Sequence, residues 1–212
     1  SERVHQLDAG SVEQIRAQLA EAGKQVGPGG RVWVYYAGHG AASPVTRERL
    51  LLGDDVRADP AAFDARSLPV SEVERLASSG GGQPMVVLDT CFAGHGRGGD
   101  SLVAGTRFAV PAYAASSEEG VQWAAAAPNE LSGPLDGAEH GAFTYFVVGA
   151  LRGWADGELT GQRDGVVTGD EAQAYVRRAL GSAQKRGQTP SWVGLAAGEV
   201  ELSRGTEEGP EL

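Results

Sequence analysis

Two short apolar runs each deliver a reactive side chain beside glycine. Val32-Trp33-Val34-Tyr35-Tyr36-Ala37-Gly38-His39-Gly40 brings a histidine, and Met85-Val86-Val87-Leu88-Asp89-Thr90-Cys91-Phe92-Ala93-Gly94 brings the single cysteine of the chain. A thiol and an imidazole are the smallest set of parts for nucleophilic attack on an acyl carbon, one attacking as thiolate and the other carrying the proton. A lone buried cysteine is usually an inert small hydrophobe. Here both residues follow apolar strands, both are flanked by small residues that admit a substrate backbone, and Cys91 follows His39 by 52 positions.

The elements that must hold this pair can be read around it. Neither run alternates polar with apolar, which suits parallel strands covered on both faces. With helical segments between them, the fold class is α/β, a mostly parallel central sheet flanked by helices. In such sheets, sites form at the carboxyl ends of strands, where His39 and Cys91 both fall. Val4–Leu7 reads as a short strand. Ser11 is a candidate N-cap for a helix whose apolar residues Val12, Ile15, Leu19 and Ala22 recur at helical spacing until Gly23 ends it. Val32–Tyr36 and Met85–Leu88 are the site strands, Val70–Ser78 is a helix, and residues 41–70 are a long excursion. Phe108–Ala115 reads as a third strand interrupted by Pro111, residues 116–140 as weakly patterned, and Ala142–Leu151 as an apolar helix. Thr168 and Glu171 have capping-box spacing at the start of a helix over Gly169–Leu180. Residues 204–212 read as an acidic, frayed tail.

Composition bounds the function. The 212 residues suffice for one buried core, with 41% hydrophobic and 22% charged residues. A formal net charge of −10 argues against a nucleic-acid partner. No apolar stretch reaches the ~18 residues of a membrane span, and residues 1–7 hold no signal-peptide core. One cysteine forms no internal disulfide, so a cytoplasmic, reducing location is expected.

Tyr36-Ala37-Gly38-His39-Gly40 and Leu88-Asp89-Thr90-Cys91-Phe92-Ala93-Gly94 resemble the two catalytic motifs of the caspase-like cysteine peptidases, nearest to the metacaspase and bacterial caspase-homologue branch. The His-to-Cys spacing agrees. Tyr113-Ala114-Ala115-Ser116-Ser117 and His140-Gly141-Ala142-Phe143-Thr144-Tyr145-Phe146 resemble the small-subunit half of that fold. The resemblance implies a three-layer sandwich forming one domain over 1–203, large-subunit-like over 1–96 and small-subunit-like over 107–203, with a loop at 97–106. It implies a Cys–His dyad working through a thioester, with the backbone N–H groups of Gly40 and Cys91 holding the oxyanion. Asp89 stands where metacaspases carry an acidic S1 residue. Two positions along a strand return a side chain to the same face, so cleavage after Arg, and less readily Lys, is expected. Local backbone hydrogen bonding by Asp89 is the competing reading. Ser116, Ser117 and Glu118 are candidates for lining the substrate groove. Arg97 and Arg107 are candidate self-cleavage sites of a zymogen.

No cofactor is required by this chemistry. Asp54, Asp55, Asp59, Asp64 and Asp100 offer oxygen ligands for the calcium activation that the resemblance implies, but a solvated acidic loop is the preferred reading because no ligand spacing is diagnostic. Zinc is disfavoured, because Cys91 and His95 are the only short-spaced pair. His140 reads as packing or capping, and His5 as incidental. The fold the chain resembles has a further strand between the one before the first helix and the histidine strand. The chain offers no candidate for it, so an N-terminal segment or companion chain completing the sheet is an expected partner. The alternative function, from another class, is a catalytically silent or regulatory module that binds proteins.

Overall fold

A computed structural model describes residues 3–43, 45–56, 63–92, 120–127, 130, 132–135, 141–183 and 187–210. In chain order the regular elements are α1 (Val12–Lys24), β1 (Arg31–Ala37), β2 (Gly40–Ala42), β3 (Arg49–Leu52), β4 (Ser67–Pro69), α2 (Val70–Ala77), β5 (Gln83–Asp89), β6 (Val121–Ala124), α3 (Ala142–Gly149), β7 (Val167–Thr168), α4 (Gly169–Ala183), β8 (Ser191–Gly194) and β9 (Glu201–Ser203).

The central sheet has the order β1-β5-β6-β8. β1 and β6 both run parallel to β5, while β8 is antiparallel to β6, so the sheet is mixed with a mostly parallel core. Alternation along β5 divides the interior. Val86 and Leu88 pack with Val12 and Leu19 of α1 and Val70 and Val73 of α2. Met85 and Val87 pack with Phe143 and Phe146 of α3 and with Tyr175, Val176 and Leu180 of α4. Helices therefore cover both faces of β5, as its apolar run predicts, whereas β1 is corrected: Trp33, Tyr35 and Ala37 leave one of its faces exposed. Among the described residues, no helix is long and apolar enough to cross a membrane.

Local chemistry explains both well-read helix starts. The Ser11 side chain accepts the Gln14 N–H, and the Gln14 side chain accepts the Ser11 N–H, forming a capping box at α1. At α4, Thr168 and Glu171 exchange the same pair of bonds. Gly23 does not end α1, which continues to Lys24. It lies against α2, where a Cβ would sit 2.0 Å from the Leu76 carbonyl oxygen, so close helix approach rather than termination is its role.

Several expectations are corrected. Residues 3–7 form no strand and are exposed. The excursion over 41–70 contains β2, β3 and β4, an antiparallel sheet whose β3 run Leu50-Leu51-Leu52 is buried. The stretch over 116–140 includes β6, fully buried in the central sheet. The apolar helix after Gly141 leaves α-geometry at Ala150 for a π-turn to Trp154. The tail is docked: the Glu207 N–H donates to the Arg152 carbonyl, its carbonyl accepts from Arg163, and Glu208 pairs with Arg163 at 3.8 Å. The expected strand over 108–115 lies outside the described residues.

Candidate functional site

Parallel register places the two reactive residues. Ala37 is level with Asp89 in the last rung of β1 and β5. His39 and Cys91 each lie two residues further, just beyond the carboxyl ends of these neighbouring strands. Gly40 then opens β2 directly against the cysteine strand's end. A Cβ there would meet Thr90 Oγ1 at 2.6 Å and the Phe92 ring at 3.0 Å, both flanking Cys91, so only glycine allows this approach.

The side chains are not engaged with each other. Cys91 is 5% exposed. Its sulfur accepts the Ser132 N–H at 2.9 Å, lies 3.2 Å from Ser132 Oγ and has the Ser132 carbonyl oxygen at 3.6 Å. His39 is exposed, and among the described residues its ring makes no hydrogen bond. Its main chain is fixed instead, since its carbonyl accepts from the Leu52 N–H and from Tyr36 Oη at 2.7 Å. The same phenol also reaches the Leu52 carbonyl at 2.8 Å. Burial pushes Tyr36 up to about 12. Neither Ser132 nor Tyr36 is marked by spacing, and only the motif's aromatic run hinted at the latter.

Asp89 shares its strand face with Cys91 and is 1% exposed. Its Oδ2 accepts a hydrogen bond from Thr144 Oγ1, and Tyr35 Oη lies 2.8 Å from the same hydroxyl. Gly141, at the start of α3, packs against the carboxylate. The positive end of a helix favours an anion there. Thr144, which bonds the candidate specificity residue, and Tyr35, which bonds Thr144, are thus partners that sequence reasoning missed.

Arg49 is a second missed feature. It is 2% exposed, lies over the Phe92 ring at 5.1 Å and donates to Ser191 Oγ at 3.1 Å. Burial pushes its guanidinium down to about 10.

Ser116, Ser117, Glu118, His95, Arg97, Asp100, Arg107 and His140 lie outside the described residues, as do Asp59 and the side chain of Asp64. Asp55 accepts the Val12 N–H at 3.1 Å, so it caps α1. Among the described residues no three His, Cys, Asp or Glu side chains are grouped to hold a metal ion.

β1 is the edge of the central sheet, with no strand beyond it among the described residues. A cleft of about 2000 Å³ lies between residues 3–10 and this edge. Ile15 and Leu19 of α1 and Val34 of β1 contribute to its lining, and Gly38 and His39 also border it.

No family model matches the chain, and no curated protein matches it. Among solved structures, the crystal structure of protein GSU0716 from Geobacter sulfurreducens is similar, with a TM-score of 0.57 over 92% of this chain and 78% of that one at 16% identity. The likeness is one of fold.

Proposed function

We propose that the chain is a caspase-like cysteine endopeptidase that cleaves after a basic residue. The observation that supports this reading is the register of β1 and β5, whose last pair, Ala37 and Asp89, lies two residues before His39 and Cys91 on neighbouring strands. In the proposed reaction the Cys91 thiolate attacks the scissile carbonyl carbon. The tetrahedral oxyanion is held by the N–H groups of Gly40 and Cys91. Collapse expels the amine, which takes its proton from His39, and leaves a thioester. Water then attacks the thioester, giving the carboxylic acid and the free thiol. Asp89 supplies the acidic floor of the S1 pocket, with Arg preferred over Lys because a guanidinium pairs bidentately with a carboxylate. The site takes an extended peptide substrate and needs no cofactor for this chemistry. An extended, uncharged strand is the proposed partner at the open edge of β1.

A second reading, a silent or regulatory protein-binding module, is favoured by one observation: the cysteine sulfur is buried on Ser132 while His39 stands apart. Matched fluorogenic peptides with Arg, Lys, Asp or Ala at P1, with and without calcium, separate the two. Turnover after Arg or Lys that is abolished in Cys91→Ala is the expected result. Cleavage after Asp would overturn the pocket assignment, and no turnover under any condition would favour the module.

A further inference from the structure

The contacts of Ser132 are built in an unusual way. Its N–H, hydroxyl and carbonyl all converge on one sulfur, at 2.9, 3.2 and 3.6 Å. An acyl carbon cannot approach a sulfur so enclosed. The groups that keep Ser132 there come from a segment more than fifty residues away. Gly133 N–H donates to Gln188 Oε1 at 3.2 Å, and Gln188 Nε2 donates to the Ala125 carbonyl at 3.0 Å, so one buried amide clamps both sides of the loop. The Glu130 carboxylate accepts the N–H and, at 3.0 Å, the hydroxyl of Thr189. The Gly133 carbonyl accepts the Ala142 N–H at 3.0 Å, which ties the loop to the first turn of α3.

We infer that Glu130, Ser132 and Gly133 form an autoinhibitory latch, held by Gln188 and Thr189, that caps the Cys91 thiol and sets how often it is exposed. The inference rests on Cys91 being the nucleophile. The physical reason is the mismatch between the two halves of the contact. The sulfur side is dry and tight, whereas Thr189 is exposed and Glu130 is only half-buried, so the fastening competes with water. Bonds of that kind open in local fluctuations far below the free energy of global unfolding. Losing one of them shifts such an opening equilibrium about five- to tenfold.

Alkylation of the single thiol by iodoacetamide, followed by intact mass at fixed pH, reads the latch without any peptidase assay. The folded wild type is expected to react about a hundredfold more slowly than the chain in denaturant, as local opening limits access. Gln188→Ala and Thr189→Val are each expected to react about five- to tenfold faster than wild type while near-ultraviolet circular dichroism is unchanged. Equal rates for folded and unfolded wild type, or wild-type rates in both folded variants, would overturn the latch. If Gln188→Ala does not fold, the exposed Thr189 position decides. Faster labelling without turnover of any peptide keeps the latch and removes the peptidase. Peptide turnover with labelling indifferent to both variants does the reverse.

Discussion

The Asp89 carboxylate receives its proton donor from Thr144, and a threonine hydroxyl has one hydrogen to give. Tyr35 must therefore be the donor in its own 2.8 Å contact with Thr144, so the chain of donors runs from an exposed phenol to a buried carboxylate. One carboxylate oxygen is committed to this chain, which weakens the bidentate pairing that would favour Arg over Lys. Thr144→Val is expected to raise the Arg-to-Lys ratio of kcat/KM several-fold and to cost about 1–3 kcal/mol of stability through the lost partner. An unchanged ratio would mean that Asp89 does not read the substrate. Tyr36 gives a second residue-scale prediction. Burial raises it from 10.0 to about 12, so its contribution to stability is complete below pH 10 and is lost as pH rises towards 12. Burial lowers Arg49 from 12.5 to about 10, and its penalty fades over the pH range between those values, with the opposite sign. Tyr36→Phe isolates the first effect. Between pH 10 and 11.5 the variant should lose less stability to urea than wild type, and equal losses would refute the assignment.

At the scale of elements, α1 and α2 approach each other closely at Gly23. Gly23→Ala adds a residue of better helix propensity, worth about 1 kcal/mol in an open helix. Here the new methyl would sit 2.0 Å from the Leu76 carbonyl oxygen, with the Ala77 carbonyl oxygen at 2.9 Å. Backbone cannot yield as a flexible side chain would, so the substitution should destabilise by about 1–3 kcal/mol in urea unfolding. A stabilised Gly23→Ala would show that the two helices part easily. The same glycine shows what could be read in advance. Its presence at a helix end looked like a stop signal, because a local pattern does not reveal a neighbouring helix. Caps closed by residues three apart, Ser11 with Gln14 and Thr168 with Glu171, are local, and the starts of both helices were legible. β5 was legible because burial on both faces leaves a continuous apolar run, whereas β1 carries such a run with Trp33 and Tyr35 exposed on one face, which the pattern alone does not reveal. β2, β4 and β6 are three or four residues long and are defined by their partners rather than by any period of their own. Ser132 reaches Cys91 across 41 positions, through its N–H and carbonyl as well as its hydroxyl, a long-range contact that no local pattern encodes.

At the scale of the whole molecule, the sheet is lopsided. Among the described residues, β8 closes one side in antiparallel fashion, while β1 ends the other with seven residues and only one charge, Arg31. Natural edge strands are usually protected by charge, proline, a bulge or brevity. Trp33 and Tyr35 are instead 41% and 55% exposed on one face. Volume bears on what fits beside them. A seven-residue strand fills roughly 23 × 4.8 × 10 Å, or about 1,100 Å³, so a cleft of about 2000 Å³ admits one strand and not comfortably two. Drug-sized ligands occupy clefts of about 300–1,000 Å³, which this one exceeds. An inserted strand would pair its backbone with β1, rest on Ile15 and Leu19, and lie along Gly38 and His39, so its arrival would stiffen the histidine's end of the site. Amide exchange tests this directly. With a Val- and Thr-rich strand added in trans, or fused ahead of Arg3 by a flexible linker, the outward N–H groups of β1 should gain protection and Tm should rise. Tyr35→Lys, which puts a charge on the edge, should weaken both effects while leaving the pairing of β1 with β5 intact. If protection and Tm stay unchanged with the strand fused, the edge is simply tolerated, and completion of the sheet has no part in activating Cys91.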